Sequence, residues 1–209
     1  WRQQDSVAIG QEDSTTSGGV VGAPADIKPY SSFDQLVELA GKCARELGKN
    51  SRVNAENMRK GYTKGIHGLC PQGTQAVLYA LTGIKSLGQI SGNADWFSFK
   101  NPSTGGGRSS FSQTGYFNDK IKISQSGTSW KGTYITDKTQ WQVGDVIAMG
   151  YTDGKPYGHI QVWTGFSWMS DFKQGNAIQQ NHVDTNSVAL WRLNDKGIAA
   201  VKKQQGQVA

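Results

Sequence analysis

The chain has 209 residues, a formal net charge of +6, 36% hydrophobic residues and 27 glycines. That length favours one domain with a proper core over two small ones, and no apolar run approaches bilayer-spanning length. The basic excess implies an anionic partner, such as a phosphate-rich wall polymer, a nucleic acid or a membrane surface. Its scatter along the chain, apart from Lys202-Lys203, is only a weak argument for a nucleic-acid-binding face, and none is expected.

Residues 1–30 are polar and rich in Gly, Ser, Asp and Gln, and read as a flexible tail or linker. The chain opens on Trp1 with neither an initiator methionine nor a signal peptide, as expected of a processed mature form or an excised portion of a longer protein. A helix is predicted over 32–47. Leu36, Leu39, Ala40, Cys43 and Leu47 share one of its faces, Ser32 with Gln35 forms a capping box, and Gly48 supplies the stop. Cys43 is therefore read as a core residue rather than half of a disulfide. A short helix over 53–61 and a third from Cys70 to about Leu81, ending before Gly83, follow. Residues 88–118 are dense in Gly, Ser and aromatics (Trp96, Phe97, Phe99, Phe111, Tyr116, Phe117). A loop this long is functional or disordered, and its aromatic load predicts a binding-groove wall, with Trp96 and Tyr116 as substrate-binding residues.

From residue 130 the pattern changes to short strand-like runs at 133–136, 145–151, 158–164, 167–172 and 187–193, with Asp153-Gly154 and Thr164-Gly165 as hairpin turns. Helices first and strands afterwards predict an α+β domain over 31–196, its N-terminal helices packed on a small antiparallel sheet. Residues 197–209, with Lys202-Lys203-Gln204-Gln205-Gly206-Gln207, read as a frayed C-terminal tail.

The chemistry centres on His67-Gly68-Leu69-Cys70-Pro71-Gln72-Gly73. Proline suits a first helical turn, which puts Cys70 at an N-cap among unpaired N–H groups and the positive end of the helix dipole. That setting should pull the thiol below its ordinary value of about 8.5 and make it a nucleophile. Three histidines compete as its base. His67 is too local to be held across the thiol, and His182 sits in a polar run. His159 opens a strand in Gly158-His159-Ile160-Gln161-Val162-Trp163, whose alternation sets Ile160 and Val162 against His159, Gln161 and Trp163. His159 is thus the best placed. Asp171 in Ser167-Trp168-Met169-Ser170-Asp171-Phe172 returns to its level across the hairpin and is taken as the group that orients the imidazole, with Asn176, Asn181 and Asp184 as alternatives. An oxyanion would be held by the Cys70 N–H and a second donor, Gln72 or Tyr62.

Trp141-Gln142-Val143-Gly144-Asp145-Val146-Ile147-Ala148-Met149 followed by Gly158-His159-Ile160-Gln161-Val162-Trp163, with a cysteine opening a helix far upstream, resembles the CHAP-type amidohydrolases and the related NlpC-type peptidases over roughly residues 55–195. The resemblance implies a papain-like fold, with the family's cysteine at Cys70, its histidine at His159 and its third polar residue at Asp171. It further implies cofactor-free cleavage of an amide bond in bacterial peptidoglycan, by a phage lysin, an autolysin or an antibacterial effector. The enzyme would be secreted or periplasmic and act at the cell wall, with anionic wall polymers as further contacts and an immunity protein as partner if it is an effector. The insert at 88–118 departs from the family pattern. Two other readings compete. His67, Cys70 and His159 have ligand-like spacing for a zinc hydrolase, but His-Glu-x-x-His is lacking, so no metal is expected. A non-catalytic module binding cell wall or nucleic acid would use the basic charge and the seven tryptophans. Five of these (Trp130, Trp141, Trp163, Trp168, Trp191) lie in or beside strands, where a core role is expected.

Overall fold

Ser32 starts the first helix among the described residues, α1 (Phe33–Glu46), its hydroxyl accepting from the Gln35 N–H at 3.1 Å, a cap worth about 1 kcal/mol. Gly48, at φ +65°, closes it. The computed structural model describes residues 32–63, 68–90, 110–118, 121–123, 138–151, 158–177 and 183–206. Leu36, Val37, Ala40, Cys43 and Ala44 form the buried stripe of α1, which lies along α3 (Cys70–Thr82). Between them comes a short helix, α2 (Ala55–Arg59), capped by Asn54. Helix α3 is buried on nearly every side because it is sandwiched between α1 and the sheet. Its polar side chains are accordingly bonded. Thr74 donates to the Ile160 carbonyl at 3.2 Å, Thr82 to the Leu78 carbonyl at 2.6 Å, and Gln75 to the Ile90 carbonyl.

A 3-10 turn (Lys85–Gln89) and a one-turn helix, α4 (Ser110–Gln113), precede the sheet. The strands are β1 (Ile121–Ile123), β2 (Val146–Tyr151), β3 (Gly158–Trp163), β4 (Trp168–Met169), β5 (Lys173–Gln174) and β6 (Val183–Trp191). They lie in the order β1-β6-β2-β3-β4-β5, every pair antiparallel. The chain is thus α+β. Period-two alternation gives the sheet two apolar faces. Val146, Ala148, Ile160, Val162, Met169, Ala189 and Trp191 join the helices in the main core. Ile147, Met149, Trp168, Val188 and Leu190 build a second cluster with Trp141 and Ala177 on the other face. The Gly-Asp pair ahead of β2 is structural. Gly144 adopts φ +92°, and the fully buried Asp145 carboxylate accepts from Arg192 Nε and Nη2, each at 3.0 Å, and from the Gln142 N–H at 2.9 Å.

Three sequence expectations are corrected. The expected frayed tail over 197–209 is helical over most of its described part: a further helix, α5 (Asp195–Gln204), capped by Asn194, packs on α3. Gly197 masked its pattern, yet any side chain there would strike the Tyr116 carbonyl and Leu193. Phe111 and Phe117 do not wall a groove. They pack edge-on at 5.2 Å in the core, Phe111 also lying 5.2 Å from Trp191. The strand expected over 167–172 instead splits into β4 and β5, joined by a tight turn at Ser170-Asp171-Phe172 in which the Ser170 N–H donates to the Phe172 carbonyl at 3.1 Å. Trp141, Trp168 and Trp191 are core residues as expected. The tail 1–30, the run 133–136, the Asp153-Gly154 turn and Trp130 lie outside the described residues.

Candidate active site

Gly68, at φ +95°, turns the chain into α3, which begins at Cys70 itself with Leu69 as N-cap and Pro71 in its first turn. The expected N-cap position of Cys70 is therefore off by one residue, and no side chain caps this terminus. The first turn of α3 meets the sheet where β4 is too short to cover β3: Thr74 bonds the Ile160 carbonyl, and the Ile160 N–H favours the Cys70 thiolate. The sulfur thus lies against the peptide that follows His159. On the other side of this turn, Gly73 abuts the Ser170–Asp171 backbone so closely that no Cβ would fit. Helix α3, strand β3 and the β4–β5 turn meet here, bringing together Cys70, His159 and Asp171.

Cys70 is 8% exposed. Burial pushes its thiol up to about 12, the Asp171 charge adding to the rise, while the backbone N–H groups of Ile160 and Cys70 pull the other way. The sequence expectation of a lowered thiol is thereby reversed. Desolvation disfavours the charged form more than the helix terminus favours it. The thiol is free, as is that of Cys43.

His159 is 3% exposed, with Phe172 at 5.8 Å between ring centroids. Its Nε2 lies 2.9 Å from Gln174 Oε1 and 3.2 Å from Gln161 Oε1. Gln161 Nε2 donates to the carbonyls of Asn176 at 3.0 Å and Ala177 at 2.7 Å. Gln174 Nε2 donates to Ser170 Oγ at 2.9 Å, and that hydroxyl donates to Asp171 Oδ1 at 3.1 Å. Asp171 thus connects to His159 through Ser170 and Gln174. Sequence reasoning missed Gln174, whose only signal was a polar side chain after the Asp171 turn.

Gln72 is anchored by its side-chain oxygen, which accepts from the Asn50 N–H at 2.8 Å, leaving its amide nitrogen as the donor end. Tyr62 is 68% exposed and stands edge-on to Phe172 at 5.9 Å, so an exposed aromatic ring borders the residue beside the imidazole. Tyr116 is held elsewhere, its carbonyl accepting from the Asn194 N–H at 3.0 Å and its ring lying under Lys196 Nζ at 5.0 Å. Asn176 serves through its backbone. Trp96, His67, Asn181, His182 and the Asp184 side chain lie outside the described residues. Among the described residues, no three His, Cys, Asp or Glu gather to hold a metal, and no helix is long and apolar enough to cross a membrane. No family model, curated protein or solved structure matches the chain.

Proposed function

We propose that this protein is a cysteine amidohydrolase of papain-like type that cleaves an amide bond in bacterial peptidoglycan, acting outside the cytoplasm at the cell wall. The observation that carries the reading is the juncture itself: a buried cysteine at the first position of a helix, lying against the strand residue that follows a histidine whose ring is gripped at one nitrogen. A nucleophile, a base and an orienting group held by three rigid elements are what acyl transfer requires. The resemblance of the Gly144-Asp145 and Gly158-His159 strands to CHAP-type and NlpC-type enzymes supplies the substrate class.

In this mechanism the resting pair is neutral, because burial holds the Cys70 thiol protonated. As Sγ attacks the carbonyl carbon, the thiol proton passes to the His159 ring, which then delivers it to the departing amine. A thioester remains on Cys70. Water attacks it, giving one proton to His159, and the carboxylic acid leaves as that proton returns to sulfur, then ionises in solvent. The Cys70 N–H and the amide nitrogen of Gln72 would hold the oxyanion. Asp171 supports the imidazole from the turn behind it, and Tyr62 would receive the substrate at the rim.

Digestion of purified peptidoglycan, read by mass spectrometry, tests the proposal. Wild-type protein should release soluble fragments carrying new amine and carboxylate ends. Cys70→Ala and His159→Ala should release none, and a chelator should leave release unchanged. Release undiminished in Cys70→Ala would overturn the nucleophile. Loss of activity on chelation, restored by zinc, would transfer the reaction to a metal site.

A further inference from the structure

A histidine that serves as a base must present a lone pair at one ring nitrogen, and a neutral imidazole can do so at either. The hydrogen bonds around His159 decide which. Gln161 cannot turn its amide over, because its nitrogen faces two backbone carbonyls, those of Asn176 and Ala177, which only accept. Its oxygen therefore points at Nε2. Gln174 is oriented independently: Asp171 accepts from Ser170, Ser170 accepts from the Gln174 nitrogen, and the Gln174 oxygen again faces Nε2. Two acceptors converging on one ring nitrogen require that nitrogen to carry the proton.

We infer that Gln174 and Gln161 are the positioning residues of this site, clamping His159 Nε2–H between two amide oxygens so that Nδ1 carries the lone pair that takes the thiol proton. This rests on the proposed function for its chemistry and moves direct contact with the imidazole from Asp171 to the two glutamines. Asp171 lies at the far end of the Gln174-Ser170 relay, where its carboxylate fixes the direction of every bond in that chain. The two carbonyl dipoles favour the imidazolium that forms during the reaction, without placing a full charge against the ring. Among the described residues, the Asp171 charge in the β4–β5 turn bears on the Cys70 thiol of α3, whose helix lies against β3.

Nitrogen NMR of the imidazole in Cys70→Ala protein reads the tautomer directly and needs no activity. The neutral ring should carry its proton on Nε2. In the same background, Gln174→Glu sets a carboxylate against Nε2, so the His159 titration should move up by about one pH unit. A neutral ring protonated at Nδ1, or a titration unmoved by Gln174→Glu, overturns the clamp. In otherwise wild-type protein, Gln174→Ala should lower kcat about tenfold to a hundredfold with KM within about twofold. Gln174→Glu should restore most of the rate, with the acid limb of the pH profile shifted upward. An Nδ1-protonated ring in an active hydrolase would sink the clamp alone. An Nε2-protonated ring in a protein without hydrolase activity would sink the proposed function and leave the clamp standing.

Discussion

Cys43 and Cys70 both begin as thiols near a helix and end as groups governed by burial. Cys43 is pushed up to about 11, first by loss of solvent and then by the nearby charge of Glu46. Cys70 moves in the same direction. The folded chain therefore keeps protons that the unfolded chain has already released, so the stability this represents is whole below about 9 and is lost as pH rises through about 11 for Cys43 and about 12 for Cys70. For Cys43 a rise from 9.0 to about 11 corresponds to about 2 to 3 kcal/mol. Urea unfolding midpoints should fall across this interval, and Cys43→Ala should make the fall shallower. An identical pH slope in the variant would show that the thiol contributes nothing. The sequence revealed where these cysteines stand along their helices but not how much solvent reaches them, so Cys70 opens its helix about where expected while its thiol shifts in the opposite direction. His159 and Gln161 share a face by simple alternation, which is legible. Gln174 is not, because its approach to Nε2 depends on a three-residue turn that reverses the chain after β4.

At the scale of elements, the helices were legible where caps and apolar stripes agreed. Helix α1 runs over Phe33–Glu46 against an expected 32–47, and α3 ends at Gly83 as its left-handed glycine requires. Helix α5 was not legible, because Gly197 interrupts its pattern for a reason that lies in Tyr116 and Leu193. Gly73 carries the same lesson into the site. The absence of a side chain there lets the first turn of α3 settle directly on the Ser170–Asp171 backbone, which brings Cys70 and the histidine relay to one place. Gly73→Ala must push that turn away. It should cost about 1 to 3 kcal/mol in stability and reduce hydrolysis by about tenfold or more, since misplaced positioning groups are felt strongly in the rate. Gly175→Ala, just beyond β5 where a Cβ would meet nothing, serves as the matched control and should retain both properties. Equal behaviour of the two variants in urea melts and in peptidoglycan digestion would show that the contact of α3 with the turn does not hold the site together.

Across the whole molecule, the candidate site draws on two layers that are far apart in the chain. Cys70 belongs to the helical layer, whereas His159, Gln161 and Gln174 belong to the sheet. The layers share the main core, in which residues of α1 and α3 pack with Val146, Ala148, Ile160 and Val162, while the opposite face of the sheet is closed by the second cluster around Trp141 and Trp168. A chain whose helices and strands shared only a loose boundary would open its helical layer first and lose the site while the tryptophans stayed buried. A shared core predicts instead that the layers unfold together. In graded urea, alkylation of Cys70 in a Cys43→Ala background, loss of hydrolysis and the fluorescence change of the buried tryptophans should follow one transition with a common midpoint. Trp168 and Trp141 report the far face of the sheet and Cys70 the end of α3, so their coincidence would show that cooperativity spans both layers. Alkylation rising well below the fluorescence midpoint would mean that α3 detaches on its own. The contact at Gly73 would then be a weak latch rather than part of a continuous core.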